Sequence, residues 1–222
     1  MLRAVSYNIH SGRDLFWRKR LEQMVQTLKE LEPDVIGLQE VHQNAKYGYQ
    51  ATYIAEQLNY QLVFAPSIPL AGGFYGNAFL TRHPLKETKV IQLPARREKR
   101  TLIAASISWS EHDISIWNTH CSLNQTSRSS QLQLLKQLAD QQPDIPRLIL
   151  GDFNSSTISF SPYFSDCAAV HGKENLPTLP AFRRRLDYIF ASRHWNVCRY
   201  DLYPIPWSDH LPVIVELRLL DP

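Results

Sequence analysis

Arg147-Leu148-Ile149-Leu150-Gly151-Asp152-Phe153-Asn154 carries a buried apolar run directly into an acid and an amide. Arg147 to Leu150 reads as a strand, and Gly151 lets the backbone approach a neighbour closely as that strand ends. Asp152 can take a proton from water or bind a cation. The Asn154 amide can orient that water or hold a phosphate oxygen. Taken alone, Gly151 to Asn154 is equally well an ordinary Asp/Asn turn leaving a strand. What separates the two readings is whether the pattern recurs.

It recurs three times. Leu2 to Ile9 alternates, is β-rich and contains Ser6-Tyr7-Asn8. Val35 to Leu38 is a buried run closed by Gln39 and Glu40. Ser208-Asp209-His210 precedes the last apolar run, Val213 to Leu219. His120 closes Ile114 to Thr119, and Asp187 opens the run Leu186 to Ala191. Asn8 and Glu40 are 32 residues apart, with a helical segment between them, and so are His120 and Asp152. A strand–helix–strand unit is about 30 residues long in any case. Hard-ligand chemistry at all four ends favours two related sheets packed face to face, with their polar ends converging on one site. The fold class is therefore α/β, a sandwich of two mixed sheets flanked by helices.

The remaining pattern fits one domain spanning residues 1–222. Arg18 to Leu31 places Leu21, Met24, Val25, Leu28 and Leu31 on one helical face, and Pro33 ends it. Tyr53 to Leu58 and Gln131 to Ala139 read as helices. Gln61 to Phe64 and Asn77 to Leu80 read as strands around a Gly72-Gly73 loop. Leu102 to Ile107 pairs with Ile114 to Thr119 across a turn near Glu111 to Asp113, and Val197 to Leu202 is another strand. Of 222 residues, 44% are hydrophobic, and the formal charge of +3 permits a phosphate-bearing partner without demanding one. No apolar run approaches the roughly 20 residues of a membrane span. Leu2 to Ile9 reads as the first strand and not as a leader, and the separated Cys121, Cys167 and Cys198 fit neither a disulfide framework nor a zinc motif. A cytoplasmic protein without stable membrane insertion or an implied protein partner is expected.

Several residues carry chemistry. Glu40 and Asp209 offer the one or two carboxylates that Mg²⁺ needs beside a substrate phosphate, and Asn8 either adds a neutral oxygen or contacts a carboxylate. Asp187, an acid opening a buried strand, wants a partner. That partner is either His210, whose tautomer and basicity it would set, or one of Arg183, Arg184 and Arg185. His120 reads as a phosphate contact or proton donor, and Cys121 beside it lacks a Cys–His–acid order. Asn77 is a candidate phosphate contact or a supporting amide. Arg96 to Arg100 and Arg183 to Arg185 are basic runs that can steer a polyanion, with Arg100 the nearest to its strand and to a phosphate.

In order, Asn8, Glu40, Asn118-Thr119-His120, Gly151 to Asn154, Asp187 to Phe190 and Ser208 to His210 resemble the motifs of the endonuclease/exonuclease/phosphatase superfamily. The resemblance runs from Ser6 to Pro212. It implies a four-layered α/β/β/α sandwich and phosphoester hydrolysis with Mg²⁺ or Mn²⁺. It implies Glu40 as principal metal ligand with Asn8 and Asp209 nearby, and Asp152, assisted by Asn154, as activator of the attacking water. An Asp187–His210 pair would stand at the phosphate with His120 as a second histidine. The histidine form is similar to pancreatic-type deoxyribonucleases, neutral sphingomyelinases and compact bacterial hydrolases. The expected substrate is a phosphodiester, nucleic acid (DNA or RNA) first. A lipid or small-molecule phosphoester is the alternative, with Phe74, Tyr75 and Trp207 as rim aromatics. A binding module of the same fold without catalysis is the third reading.

Overall fold

The computed structural model describes residues 1–160 and 162–220. In chain order its elements are β1 (Leu2–Asn8), α1 (Leu21–Leu31), β2 (Val35–Asn44), β3 (Gly48–Tyr49), α2 (Gln50–Leu58), β4 (Gln61–Leu70), β5 (Gly73–Thr81), β6 (Leu85–Leu93), β7 (Arg100–Trp109) and β8 (His112–His120). There follow α3 (Gln125–Asp140), β9 (Arg147–Asp152), β10 (Phe164–Asp166), α4 (Cys167–Val170), β11 (Asp187–Ser192), β12 (Trp195–Leu202) and β13 (Val213–Leu219). Among the described residues these strands form two sheets. One has the order β12-β13-β1-β2-β5-β4 with β3 beside β2, and the other β10-β11-β9-β8-β7-β6.

Three apolar clusters define the layers. Ala4, Val35 and Phe79 from the first sheet meet Ile103, Leu148 and Ile189 from the second, which is the contact between sheets. The outer face of the first sheet packs Val5, Ile36 and Leu80 against Met24, Val25 and Leu28 of α1 and Ile54 of α2. The outer face of the second packs Trp117, Ile149 and Phe190 against Leu135 and Ala139 of α3. The result is α/β/β/α, as predicted.

The paired motifs 32 residues apart are the two parallel pairs, β1–β2 and β8–β9, each joined across a helix. Their registers set Asn8 opposite Gln39 and His120 opposite Asp152. Antiparallel β11 then sets Asp187 opposite Asp152. Between the sheets, a Cβ on Gly37 would lie 1.9 Å from Leu150 Cδ1 and 2.8 Å from Asn118 Oδ1, so a larger residue there must displace both buried side chains. Asn118 donates there to the Leu38 and Ala78 carbonyls (3.1 and 2.9 Å) and accepts from Gln39 Nε2 (2.7 Å), tying the sheets just behind the polar ends.

Local differences from the sequence reading have clear causes. Helix α1 starts at Leu21, not Arg18, because Arg18 and Arg20 serve the carboxylate of Asp14 and Lys19 bridges to Arg13. Helix α3 starts at Gln125 under an Asn124 cap that accepts from Ser127 N (3.0 Å), a polar first turn that apolar spacing misses. Strand β6 escapes the sequence reading because Lys86, Glu87 and Lys89 hide its pattern. It is an edge strand, where charge is the usual protection. No helix among the described residues is long and apolar enough to cross a membrane.

Candidate active site

Glu40, Arg100, His120, Asp152, Asn154 and His210, expected from scattered motifs, line one cleft of about 420 Å³. A larger groove of about 600 Å³ along α1 and α2 holds none of them. Two of the six sit in left-handed backbone, Glu40 at φ 60 and Asn154 at φ 52. Glu40 lies where the β2–β5 register shifts between Leu38 and Val41, a bulge that turns its side chain out of the ladder into the cleft. Gly151 is held at φ 144, and a Cβ there would meet the Thr119 carbonyl at 2.0 Å.

Asp152 is the hub. Its Oδ1 accepts from Asn154 N (2.8 Å), and its Oδ2 accepts from Asn8 Nδ2 (3.0 Å), which also reaches Glu40 Oε1 (3.1 Å). His120 Nε2 and His210 Nε2 stand 3.6 and 3.8 Å from the same Oδ2. Behind His210, Nδ1 meets Asp187 Oδ2 at 2.7 Å, and Thr178 Oγ1 accepts from Leu186 N (3.0 Å) and Asp187 N (3.1 Å). Ser208 Oγ donates to the Asn8 carbonyl (2.8 Å), fastening the His210 loop to β1.

The electrostatics divide the two histidines. Burial opposes a charge on His210, but the charge and hydrogen bond of Asp187, with Asp152 and Asp209 behind them, carry its pKa above the ordinary value. Burial, Arg100 and His210 push His120 well below it, so that ring is neutral at pH 7. Asn154 Nδ2 donates to the Cys121 carbonyl (2.9 Å) and faces His120 Nε2 (3.0 Å), so Nε2 of His120 is the acceptor and its Nδ1 holds the proton. Burial and the neighbouring Asp187 raise Asp152 far above a solvated carboxyl group, with His210 and the Asn154 N–H acting against them. Cys121 is buried with its thiol raised to about 12, which leaves no thiolate.

Asp152, Asp187 and His210 offer ligand atoms within 4.8 Å of one another, a candidate metal-binding cluster. Among the described residues, Asp187 Oδ1 is buried without a hydrogen-bond partner, and Glu40 is met by the Asn8 amide and the Tyr75 phenol and by no ion pair. The carboxylates of Glu40, Asp152 and Asp187 supply the oxygen donors that a hard divalent cation takes.

The other expected residues are placed as follows. Asn8 contacts two carboxylates through Nδ2, while its Oδ1 accepts from His10 N (3.0 Å). Asp209 turns toward Ser208 Oγ (3.2 Å) and His10 Nδ1 (3.7 Å). Arg100 is buried and pairs with Glu98 (3.0 Å), while its Nε has no partner among the described residues. Asn77 uses its amide on the Thr101 carbonyl (3.1 Å) and does not line the cleft. Arg185 pairs with Asp166, not Asp187. Trp207 donates to Thr27 against α1, and Phe74 is exposed. Tyr75 is a cleft wall beside Glu40, and burial, with Glu40 adding to it, raises its phenol. Sequence reasoning missed Gln39 and Thr178 as supports and Leu123, Leu179 and Phe182 as walls. Only Gln39 left a signal, as a polar residue in a buried run.

The sequence profile of the Endonuclease/Exonuclease/phosphatase family matches residues 5–210, from the first motif strand to His210. The chain belongs to that family. A search of curated proteins returns no match. Among solved structures, an endonuclease/exonuclease/phosphatase from Beutenbergia cavernae is 23% identical with a TM-score of 0.84, covering 99% of this chain and 72% of that one. The human Nocturnin catalytic domain with bound sulfate is 25% identical with a TM-score of 0.79 over 98% and 93% of the two chains. A D. rerio TDP2 complexed with a single-strand DNA product is 19% identical with a TM-score of 0.81 over 98% of each. This family member therefore carries a candidate metal cluster in a cleft suited to phosphoester chemistry.

Proposed function

We propose that this chain is a divalent-metal-dependent phosphodiesterase whose residues hydrolyse the ester by in-line attack of water. The observation that carries the reading is the Asp187–His210–Asp152 chain, which sets a charged imidazole against a buried acid in one cleft. Asp152 takes the proton of the attacking water as the new P–O bond forms. His210, charged and tied through Nδ1, presents Nε2–H to the oxygen that gains charge as the ester P–O bond breaks. Asn154 orients the water, and neutral His120 orients Asn154. Arg100, which lines the cleft, is our candidate for a non-bridging oxygen.

His210 has Nδ1 taken by Asp187 and Nε2 turned to Asp152, so we assign proton handling to the Asp152–Asp187–His210 group. We assign Mg²⁺ or Mn²⁺ to Glu40, a cleft carboxylate without an ion pair among the described residues. Of the expected set, Asn8, whose Oδ1 is taken by His10 N, and Asp209, which faces Ser208 and His10, would have to turn to join it. When bound, such a cation polarises a phosphoryl oxygen and stabilises the leaving alkoxide.

For the substrate, the nucleic-acid expectation rests on the two basic runs. Arg100 and Arg185 are buried and paired with acids, so those runs offer fewer free charges than their sequence suggests. Leu123 and Phe182, exposed and lining the cleft, favour an apolar-tailed phosphodiester instead. A panel of plasmid, single-stranded DNA, RNA, a chromogenic bis-ester, a mono-ester and a phospholipid tests this, with Mg²⁺ or Mn²⁺ and with chelator. Turnover that survives chelation, or survives Asp152→Asn at saturating metal, refutes the reading. Tight, steeply salt-dependent binding and cleavage of nucleic acid alone would restore the nuclease assignment.

A further inference from the structure

Large apolar side chains stand in solvent at the mouth of this cleft and on the turn between β1 and α1. Leu123 is 71% and Phe182 65% exposed, and both line the cleft. Phe16 at 73%, Trp17 at 64% and Leu15 at 44% form the tip of a separate turn, which reaches the site through His10 and Asp209. The Trp17 ring packs on His10 with centroids 4.9 Å apart, and His10 faces Asp209, the neighbour of His210.

The tip is held out, not left loose. Asp14 is buried and accepts from Phe16 N (2.9 Å), Arg18 N (3.0 Å), Arg18 Nε (2.8 Å) and Arg20 Nε (3.0 Å). Arg13 pairs across to Lys19, and Trp17 is fixed at φ 63, a left-handed conformation costly for a bulky residue. A fold that commits a buried carboxylate to presenting Leu-Phe-Trp to water has a use for that tip. Two of the three apolar segments also carry basic residues, Lys19 behind the turn, where Arg18 and Arg20 already serve Asp14, and Arg183-Arg184 behind Phe182. Arg18 lies over the Phe16 ring at 5.1 Å. Apolar points in a basic collar match an anionic bilayer, where the rings and aliphatic chains enter the acyl boundary and the cations meet headgroups. Nucleic acid matches less well, because Leu15 and Leu123 have no π-face for a base.

We propose that Leu15, Phe16, Trp17, Leu123 and Phe182 form an interfacial rim that seats the cleft on an anionic phospholipid surface. The cleft would then take its phosphoester from that surface, a refinement that rests on the phosphodiesterase reading above. The test is co-sedimentation of the full chain with extruded vesicles of phosphatidylcholine, with or without phosphatidylglycerol. A single-stranded oligonucleotide and the solution mass of the protein serve as parallel arms.

Binding should require phosphatidylglycerol. Phe16→Ser should weaken it about tenfold, the factor for withdrawing one aromatic ring from an apolar phase. Lys19→Gln should weaken it about fivefold. Neither change should alter turnover of a soluble chromogenic bis-ester. Absence of vesicle binding, oligonucleotide binding that Phe16→Ser weakens instead, or a dimer that Phe16→Ser dissociates each overturns the rim. Failure to hydrolyse the soluble ester overturns the phosphodiesterase reading, while the vesicle arm still decides the docking surface.

Discussion

Asp187→Asn isolates what the buried acid does for His210. The carboxylate sits 2.7 Å from Nδ1, and in a medium of effective dielectric about 20 that separation is worth about 6 kcal/mol of attraction for the charged ring. Burial takes back part of this, and the pKa of the ring still rises to about 10. The amide oxygen that replaces the carboxylate can still accept from Nδ1, so geometry is kept while the charge is removed. Burial is then opposed only by the more distant acids, and the ring becomes neutral at pH 7. The positive charge facing the transition state is lost, and kcat should fall about 100- to 10,000-fold with KM nearly unchanged.

The pH profile supplies the sign. A raised His210 pKa keeps the ring charged from low pH up through neutrality, so the wild type's alkaline limb lies well above pH 7. In the variant that limb should move to neutral pH or below. The assay is kcat against pH on a soluble bis-ester at saturating metal, with the His210 ring followed by NMR. A variant within about threefold of wild type at pH 7, with its alkaline limb unmoved, would show that the charge on His210 has no part in the rate.

Other perturbations reach the frame around the site. Gly37→Ala forces a Cβ to within 1.9 Å of Leu150 and 2.8 Å of Asn118, so it should cost at least about 2 kcal/mol in urea denaturation and loosen the cleft. An unchanged midpoint would mean that the sheets have slack there. Asp34 accepts from Arg3 N, Arg82 and His83, which outweigh its burial and lower its pKa. Its stabilisation is therefore complete above the ordinary carboxylate range and lost as pH falls below about 4. Asp34→Ala should lower stability by about 2–4 kcal/mol at pH 7 and flatten the acid limb of the stability curve, without moving KM. Removing divalent metal should abolish turnover, and added Mg²⁺ or Mn²⁺ should restore it.

The sequence was legible where one rule acted on neighbouring residues. The apolar runs ending at Asn8, Glu40, His120 and Asp152 marked buried strands, and their equal spacing marked the two parallel units seen in the registers. It was illegible where the deciding partner lay elsewhere. Nothing local distinguishes Asp187 paired with His210 from Asp187 paired with Arg185. Asp166, supplied by an edge strand absent from the sequence reading, takes the arginine and leaves the histidine to Asp187. The two histidines could not be told apart either, since their charge states come from burial and from which acid or arginine each one faces. The apolar rim was hidden for a related reason. The helix reads as starting at Arg18 until Asp14 captures Arg18 and Arg20 and delays it to Leu21, which leaves Leu15-Phe16-Trp17 in a turn exposed to solvent. A single buried carboxylate thus decides both where α1 begins and which side chains the turn before it presents.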